Sequence, residues 1–424
     1  MNTRKIRRDE AAGQAPVDST EQTAGELGCT TLFEFLIEAG MRKLATLLEE
    51  ERSIACGRRY EHQPERVAYR FGHAPGELTL GGRRVAVRRP RARTMDGREV
   101  LLPSWQRFAH EDPLDARALE QMVVGVSTRK YGRSLEAVPP TVAVRGTSKS
   151  AVSRRFVAAT EEQLEVFLKR PLNEIDLLVL MIDGVYFAEH VILVAVGIAT
   201  DGKKHVLGTW EGATESAASC RELLSNLIAR GLDVERELLV VIDGSKALAK
   251  AVRETLGRRT KIQRCQVHKK RNVLEQLPES MRVSVGHKIS AAYRCGDVDQ
   301  ARRILHQLVR HLDASHPGAA ASLREGLDET LTVMGLELPR ALERTLSTTN
   351  VIENFMGTAR RVSRNVKRWR GGSMMLRWIA AAAIEGERGF HRVRGHVGLA
   401  KLTQALRDHE RPNDETAASQ SEAA

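Results

Sequence analysis

At 424 residues the chain can hold two or three domains with sizeable cores. Its 66 Lys and Arg outnumber 54 Asp and Glu, and the resulting net charge of +12 favours a polyanionic partner. No apolar run approaches the roughly 20 residues of a membrane span, and the polar N-terminus carries no apolar leader segment. The five cysteines, Cys29, Cys56, Cys220, Cys265 and Cys295, are too scattered for a secreted disulfide framework. No membrane contact and a reducing cytoplasm are the expectation.

Residues 1–28 are polar and lack apolar periodicity, which predicts disorder. Thr31–Glu51 predicts a helix, with Leu32, Phe35, Leu36, Ala39, Leu44, Leu47 and Leu48 at helical spacing. A basic stretch follows, and its centre, Gly81-Gly82-Arg83-Arg84-Val85-Ala86-Val87-Arg88-Arg89-Pro90-Arg91, predicts a short arginine-edged strand or hairpin. Asp115–Arg133 reads as a helix, a turn at Gly125-Val126-Ser127 and the start of a second helix. Ser148–Lys169 reads as a further helix, capped by Thr147 or Ser148, with Lys149, Arg154 and Arg155 in its first turns. Together these suggest a helix-turn-helix unit whose last helix enters a DNA groove; an ordinary basic surface helix is the competing reading.

From Ile175 the pattern changes. Strands are predicted at Leu177–Ile182, Val191–Ile198 and His205–Trp210, then a helix at Glu215–Arg230. A strand at Leu238–Ile242, a helix at Ala247–Leu256 and a short strand at Lys261–Arg264 follow. Three strands in series and then alternating helix and strand define an α/β class with a mixed sheet, in an order that fits a ribonuclease H-like fold. Val273–Arg344 holds no strand pattern, and helical spacing in Ala301–Leu312 and Leu323–Val333 predicts a helical insertion. A last helix around Met374–Gly386 carries Trp378, and the tail after about Asp408 is polar.

Three acidic positions stand out. Asp183-Gly184 and Asp243-Gly244 each follow a hydrophobic strand, and Glu353 sits in a predicted helix capped by Thr348, Thr349 or Asn350. Either aspartate alone reads better as a turn cap beside glycine, and Glu353 alone can be read as a first-turn glutamate favoured by the helix dipole. As a set, two strand-end aspartates and a helical glutamate are what a site for two magnesium ions needs: hard cations take oxygen ligands and clamp the attacking and leaving oxygens of a phosphodiester displacement. Arg360 lies two helical turns beyond Glu353 on the same face, placed for a neighbouring phosphate. Arg361, Arg364, Lys367, Arg368 and Arg370 surround Trp369, a basic run with a stacking residue that suits DNA, or else a solvated basic helix. Cys265-x-x-His268 has the spacing of two zinc ligands, but no second pair lies near it in sequence. It is read as a local pair supporting the loop after the last core strand, with Lys269 and Arg271 beside it as DNA contacts.

The ordered set resembles the Mutator-type transposases of bacterial insertion sequences. The residues that carry the resemblance are Asp183-Gly184 with Tyr186, Asp243-Gly244, Cys265-x-x-His268-Lys269 with Arg271-Asn272, and Thr349-Asn350-x-x-Glu353, with Tyr69-Arg70-x-Gly72 and Arg88-Arg89-Pro90-Arg91 upstream. The resemblance covers about Thr31 to His391. It implies that Asp183, Asp243 and Glu353 form an Asp-Asp-Glu (DDE) triad of metal ligands for Mg2+, with Mn2+ as a substitute. It further implies that the N-terminal region binds the terminal inverted repeats of double-stranded DNA, and that the protein works as a homodimer or larger homo-oligomer on the bacterial nucleoid. DNA contacts are expected at Arg83, Arg84, Arg88, Arg89 and Arg91, at Lys149, Arg154 and Arg155, and in the two basic runs near the triad. The expected organisation is a disordered N-terminus (1–28), a basic DNA-binding region (29–110) and a helix-turn-helix-like region (111–170). A ribonuclease H-like catalytic domain (171–284 and 346–395) follows, interrupted by a helical insertion (285–345) and ending in a polar tail (396–424). A transposase-derived DNA-binding regulator without catalysis is the alternative; the presence of all three acids speaks against it.

Overall fold

The computed structural model describes residues 31–61, 66–110, 114–187, 190–212, 216–235, 237–257 and 260–408. The disorder predicted for residues 1–28 and the polar tail after about Asp408 lie outside them. The chain divides into two compact units: the described residues of Met1–Ala118 with Thr128–Ser153, and those of Leu119–Ser127 with Arg154–Ala424.

In the first unit, helix α1 (Leu32–Cys56) opens with a capping box, in which Thr31 accepts from the Glu34 amide and Glu34 reaches back to the Thr31 amide. Strands β1 (Ala68–Leu80) and β2 (Arg83–Thr94) pair antiparallel through the two-residue turn Gly81-Gly82, both at positive φ. Such a turn matches the strand twist, and glycine adopts it without steric cost. The hairpin is longer than the short one predicted. β3 (Glu99–Val100) and β4 (Val144–Arg145) extend the sheet along β2. Helix α2 (Pro103–His110) brings Trp105 so close to Gly76 that a Cβ there would lie 2.4 Å from the ring. Helix α3 (Leu114–Val123) is followed not by a second full helix but by one 3-10 turn, Tyr131–Ser134. Its anchor is buried Tyr131, whose hydroxyl donates to the Gly82 carbonyl. The expected helix-turn-helix is therefore not formed, because the segment after Gly125 is spent on supporting the hairpin turn. Helix α4 (Lys149–Lys169) begins one residue from its predicted start.

The second unit is built on a five-stranded mixed sheet in the order β7-β6-β5-β8-β9. β5 (Leu177–Phe187), β6 (His190–Ala199) and β7 (Lys204–Gly212) form an antiparallel meander. After α5 (Ala217–Ala229), β8 (Leu239–Ile242) joins β5 in parallel; after α6 (Lys246–Thr255), β9 (Lys261–Arg264) joins β8 in parallel. Leu180, Ile182, Val240 and Ile242 enter one buried cluster with Leu223, Leu224 and Leu227 of α5 and Leu248 and Val252 of α6. Side chains alternate along a strand, so Val179, Met181 and Asp183 of β5 turn to the other face.

A helical block follows: α7 (Gln266–Glu275), α8 (Glu279–Ala292), α9 (Val298–Asp313), α10 (Pro317–Arg324) and α11 (Arg340–Leu346), with its own core around Ile289, Leu305, Leu312 and Leu323. The helix predicted for Leu323–Val333 is absent; α10 stops at Arg324 and the chain makes 3-10 turns at Asp328–Thr330 and Met334–Leu336. These turns serve β9: buried Gln263 donates to the Thr330 carbonyl and accepts from the Val333 amide. Helix α12 (Asn350–Val362) packs on β5 and β6, and α13 (Gly372–Arg388) on β7. A final helix, α14 (Leu399–Asp408), buries Leu399, Leu402 and Leu406, within the stretch read from sequence as polar tail. Among the described residues no helix is long and apolar enough to cross a membrane, and Cys56, Cys265 and Cys295 are free thiols.

Candidate active site

The last parallel rung between β5 and β8 is Ile182 with Ile242, and each is followed by an aspartate. The sequence placed Asp183 at the end of its strand. In fact β5 runs on to Phe187, paired only with β6, and what ends before Asp183 is the pairing with β8. Strand register therefore sets Asp183 and Asp243 side by side where the two strands part. Asp183 is 6% exposed. Asp243 accepts the Ser245 amide at 2.8 Å, while Ser245 caps α6 through the Leu248 amide. Burial pushes the Asp243 carboxyl up from its ordinary value, against the Ser245 hydrogen bond and the nearby His268 and Arg264 charges.

Glu353 arrives on the first turn of α12, its side chain 46% exposed. The N-cap residue of that helix, Thr349, makes no side-chain cap. Its amide and hydroxyl point instead at the Cys265 sulfur, at 3.4 and 3.6 Å, and the hydroxyl lies 3.4 Å from His268 Nδ1. The Cys265 amide donates to the Ile242 carbonyl and the Gln266 amide to the Ser347 carbonyl. The start of α7 is thus laced to the end of β8 on one side and to the approach of α12 on the other, which holds Glu353 to the sheet.

His268 occupies the centre of this arrangement. Its Nε2 is 3.9 Å from Glu353 Oε1. A hydrogen bond with Cys265 holds its pKa up, at about 9, against the effect of burial and with help from the Asp183 charge. Burial acts to raise the Cys265 thiol, but hydrogen bonds with His268 and from Thr349 carry it below its ordinary value. One imidazolium therefore stands within the field of all three acids. Among the described residues no group of three or more His, Cys, Asp or Glu is gathered closely enough to hold a metal ion. The three carboxylates are nonetheless the hard oxygen donors that a divalent cation takes, and the buried Asp243 carboxyl gains from any added positive charge.

The other expected residues separate into groups. Arg360 and Arg361 are exposed on α12. That helix ends at Val362, so Arg364, Lys367, Arg368 and Trp369 lie in a turn and an extended connection rather than in a basic helix. Gly371, at φ 146°, precedes the next helix. Arg364 packs over Gly125, where a Cβ would lie 1.9 Å from its guanidinium. Arg271 is exposed, but Lys269 is 3% exposed and donates to the Ser322 and Glu325 carbonyls, its pKa pulled down to about 8 by burial. Arg83 is likewise buried and donates to the Glu136 carbonyl. Both act as internal braces, bonded to backbone carbonyls. Arg84 pairs with Glu77, and Arg89 and Arg91 with Glu99, leaving Arg88 exposed without an ion pair among the described residues. Lys149 and Arg154 are exposed on α4, and Arg155 is half-buried. Sequence reasoning missed Thr349 as a link between α7 and α12. It also missed Arg264, 5% exposed at the end of β9, which pairs with Glu325 and Glu329.

Comparison with known proteins gives the chain its family. Residues 18–392 match the family described as "Transposase, Mutator family", and the chain belongs to that family. It is 29% identical over 368 residues to a transposase for insertion sequence element ISRM5 from Rhizobium meliloti, covering 84% of this chain and 89% of the relative. A transposase for IS6120 from Mycolicibacterium smegmatis is 31% identical over 61% of this chain and 81% of its own length. The IS256 transposase of transposon Tn4001 from Staphylococcus aureus is 27% identical over 80% and 86%.

Proposed function

We propose that this protein is a DNA transposase of an insertion sequence, which cleaves DNA at the element's ends and joins the freed strand to new DNA. Asp183, Asp243 and Glu353 carry the chemistry. The observation behind this reading is the Ile182–Ile242 rung, which sets two aspartates at one sheet edge, with the His268–Thr349 link holding Glu353 beside them. The central β5, flanked by an antiparallel meander and a parallel pair, supports a ribonuclease H-like fold.

In this mechanism the three carboxylates hold two Mg2+ ions, with Mn2+ as a substitute; when bound, they supply the positive charge that an in-line phosphodiester displacement needs at its attacking and leaving oxygens. Asp183, on β5, and Asp243, just past the end of β8, offer oxygens held by the sheet. Glu353, being more exposed and helical, completes the set. His268 keeps positive charge among the acids and orients Glu353. Arg360 and the exposed residues Arg361, Lys367 and Arg368 are placed for phosphate contacts next to the triad, and the basic N-terminal region binds the terminal inverted repeats. Joining two ends calls for a homodimer or larger assembly.

The test is cleavage and joining of a labelled duplex bearing the element's own end, in Mg2+, in EDTA, and with Glu353→Gln. Joined products that need the metal and vanish in the variant are the expected result. Tight, salt-sensitive binding with no cleavage under any metal would instead mark a DNA-binding regulator.

A further inference from the structure

Bordering the start of the Glu353 helix, the second unit has a cavity of about 700 Å³ whose cations lie outside the motifs read from the sequence. Its lining includes Lys204, Arg340, Arg344, Arg392 and Arg394 and no acidic residue. Asn350 and Asn354 of α12 also line it, so it borders the helix that carries Glu353; Asn350 lies three residues before Glu353, on the same helical face.

The walls are fixed in place. The Thr345 hydroxyl of α11 donates to the Arg394 carbonyl at 3.0 Å, and the Val393 amide donates to the Gly202 carbonyl in the β6–β7 turn at 2.9 Å. Gly395, at φ 82°, lets this segment lie so close to α11 that a Cβ would be 2.5 Å from the Leu342 nitrogen. Arg340 is held by Glu343 at 3.1 Å and by the Arg294 carbonyl. By contrast Arg344, Arg392 and Arg394 are exposed and have no ion pair among the described residues. Arg392 lies within the field of the Asp201 carboxylate, but none of the three forms an ion pair among the described residues, and guanidinium groups on a pinned frame suit phosphate in particular.

We propose that this groove holds the phosphodiester backbone of duplex DNA as it passes the Glu353 helix, independently of base sequence. The identity of the polyanion rests on the transposase reading above. Cationic side chains on a backbone fix position without reading bases, so the groove suits DNA of arbitrary sequence.

The test is binding of the full chain, in EDTA, to two fluorescent duplexes of unrelated sequence, by anisotropy between 50 and 200 mM salt. The triple variant Arg344→Gln/Arg392→Gln/Arg394→Gln is compared with Arg303→Gln/Arg310→Gln/Arg407→Gln, which removes the same charge from exposed positions elsewhere. Each lost phosphate contact lowers the salt slope by about 0.9. The groove variant is therefore expected to bind both duplexes at least about tenfold more weakly, with a slope reduced by about 2 to 3. The control variant should stay within roughly twofold of the parent, since exposed charges away from the DNA contribute only through the screened overall field. Equal loss in the two variants, or no loss in the groove variant, would overturn the proposal, and loss on one sequence alone would overturn its sequence independence. If the triple variant unfolds on heating well below the parent, Arg344→Gln and Arg394→Gln singly serve the same reading, each with a slope change of about 1. Because no metal is present, the outcome is independent of the acids; strand joining by Asp183→Asn judges those separately.

Discussion

The β1–β2 hairpin and the β8–β9 end of the mixed sheet both set arginines against carboxylates, yet the two arrangements differ in kind. On the hairpin, Glu99 holds Arg89 and Arg91 at a surface where all three side chains are about a quarter exposed. Those guanidinium groups also lie over rings, Arg89 over Trp105 and Arg91 over Phe71. At the end of β9, Arg264 is sealed between Glu325 and Glu329, with a further bond to the Gly244 carbonyl just past Asp243. The hairpin pairs can open and offer their charge to a ligand. The Arg264 network cannot open without exposing a buried ion, so it acts as a scaffold for the acids. A count of arginines along the chain treats the two alike; burial separates them.

The largest effect expected from breaking this contrast is on the acids that the sheet positions. Asp183→Asn, Asp243→Asn or Glu353→Gln should each cut strand joining by more than about a hundredfold, the upper range for groups that only orient a ligand, with duplex binding in EDTA retained. Joining assays beside anisotropy decide this, and near-parent joining in any of the three would remove that residue from the triad. Next comes Arg264→Ala, which removes a buried cation that bridges Glu325 and the Arg253-paired Glu329 and bonds the Gly244 carbonyl. It should lower unfolding stability by about 1–3 kcal/mol in urea titration, and a loss below about 0.5 kcal/mol would show that the network is solvated.

A smaller effect belongs to Lys269, another buried cation of the same unit. Its folded pKa of about 8 lies below the ordinary lysine value. Between those values the unfolded chain binds the proton more tightly, so the lysine's contribution to stability rises with pH across that window, by up to about 1.4 kcal/mol per pH unit. Lys269→Met should flatten that rise in denaturation curves collected from pH 7.5 to 10; an unchanged slope would mean the amine is reached by solvent. The smallest effect is expected on the hairpin. Glu99→Gln should cost less than about 1 kcal/mol of stability while freeing Arg89 and Arg91, so that the salt slope of duplex binding steepens by about 1 to 2. An unchanged slope would place the hairpin away from DNA.

The two units were unequally legible in sequence. The strands of the mixed sheet could be read because continuous apolar runs such as Leu-Val-Leu-Met-Ile mark strands buried on both faces. Asp183 and Asp243 stood out as the first charges after such runs. The length of β5 could not be read, since Val185 and Tyr186 extend it along one neighbour only, and pairing is a property of two segments. The helix predicted for Leu323–Val333 failed because Leu327 and Leu331 reach the core of the helical block from 3-10 turns, which share nearly the same spacing, while Gln263 of β9 ties the backbone at Thr330 and Val333. Thr349 looked like a cap by type and position, but Cys265 and His268, more than 80 residues earlier, claim its hydroxyl. The basic groove escaped because its cations come from β7, α11 and the segment before α14, so no single stretch of sequence displays them together.

The helical block between β9 and α12 also sets a timetable. Asp183 and Asp243 are 60 residues apart (243 − 183), and their sheet edge can form as soon as β8 has been made. Glu353 comes 110 residues after Asp243 (353 − 243), roughly 5–20 s of ribosomal synthesis. Its seat depends on Thr349 finding Cys265 and His268 across the whole block. During that interval a growing chain has two acids in place and no third. The helical block thus works as a delay, since the third acid can join the two aspartates only after the block has been made.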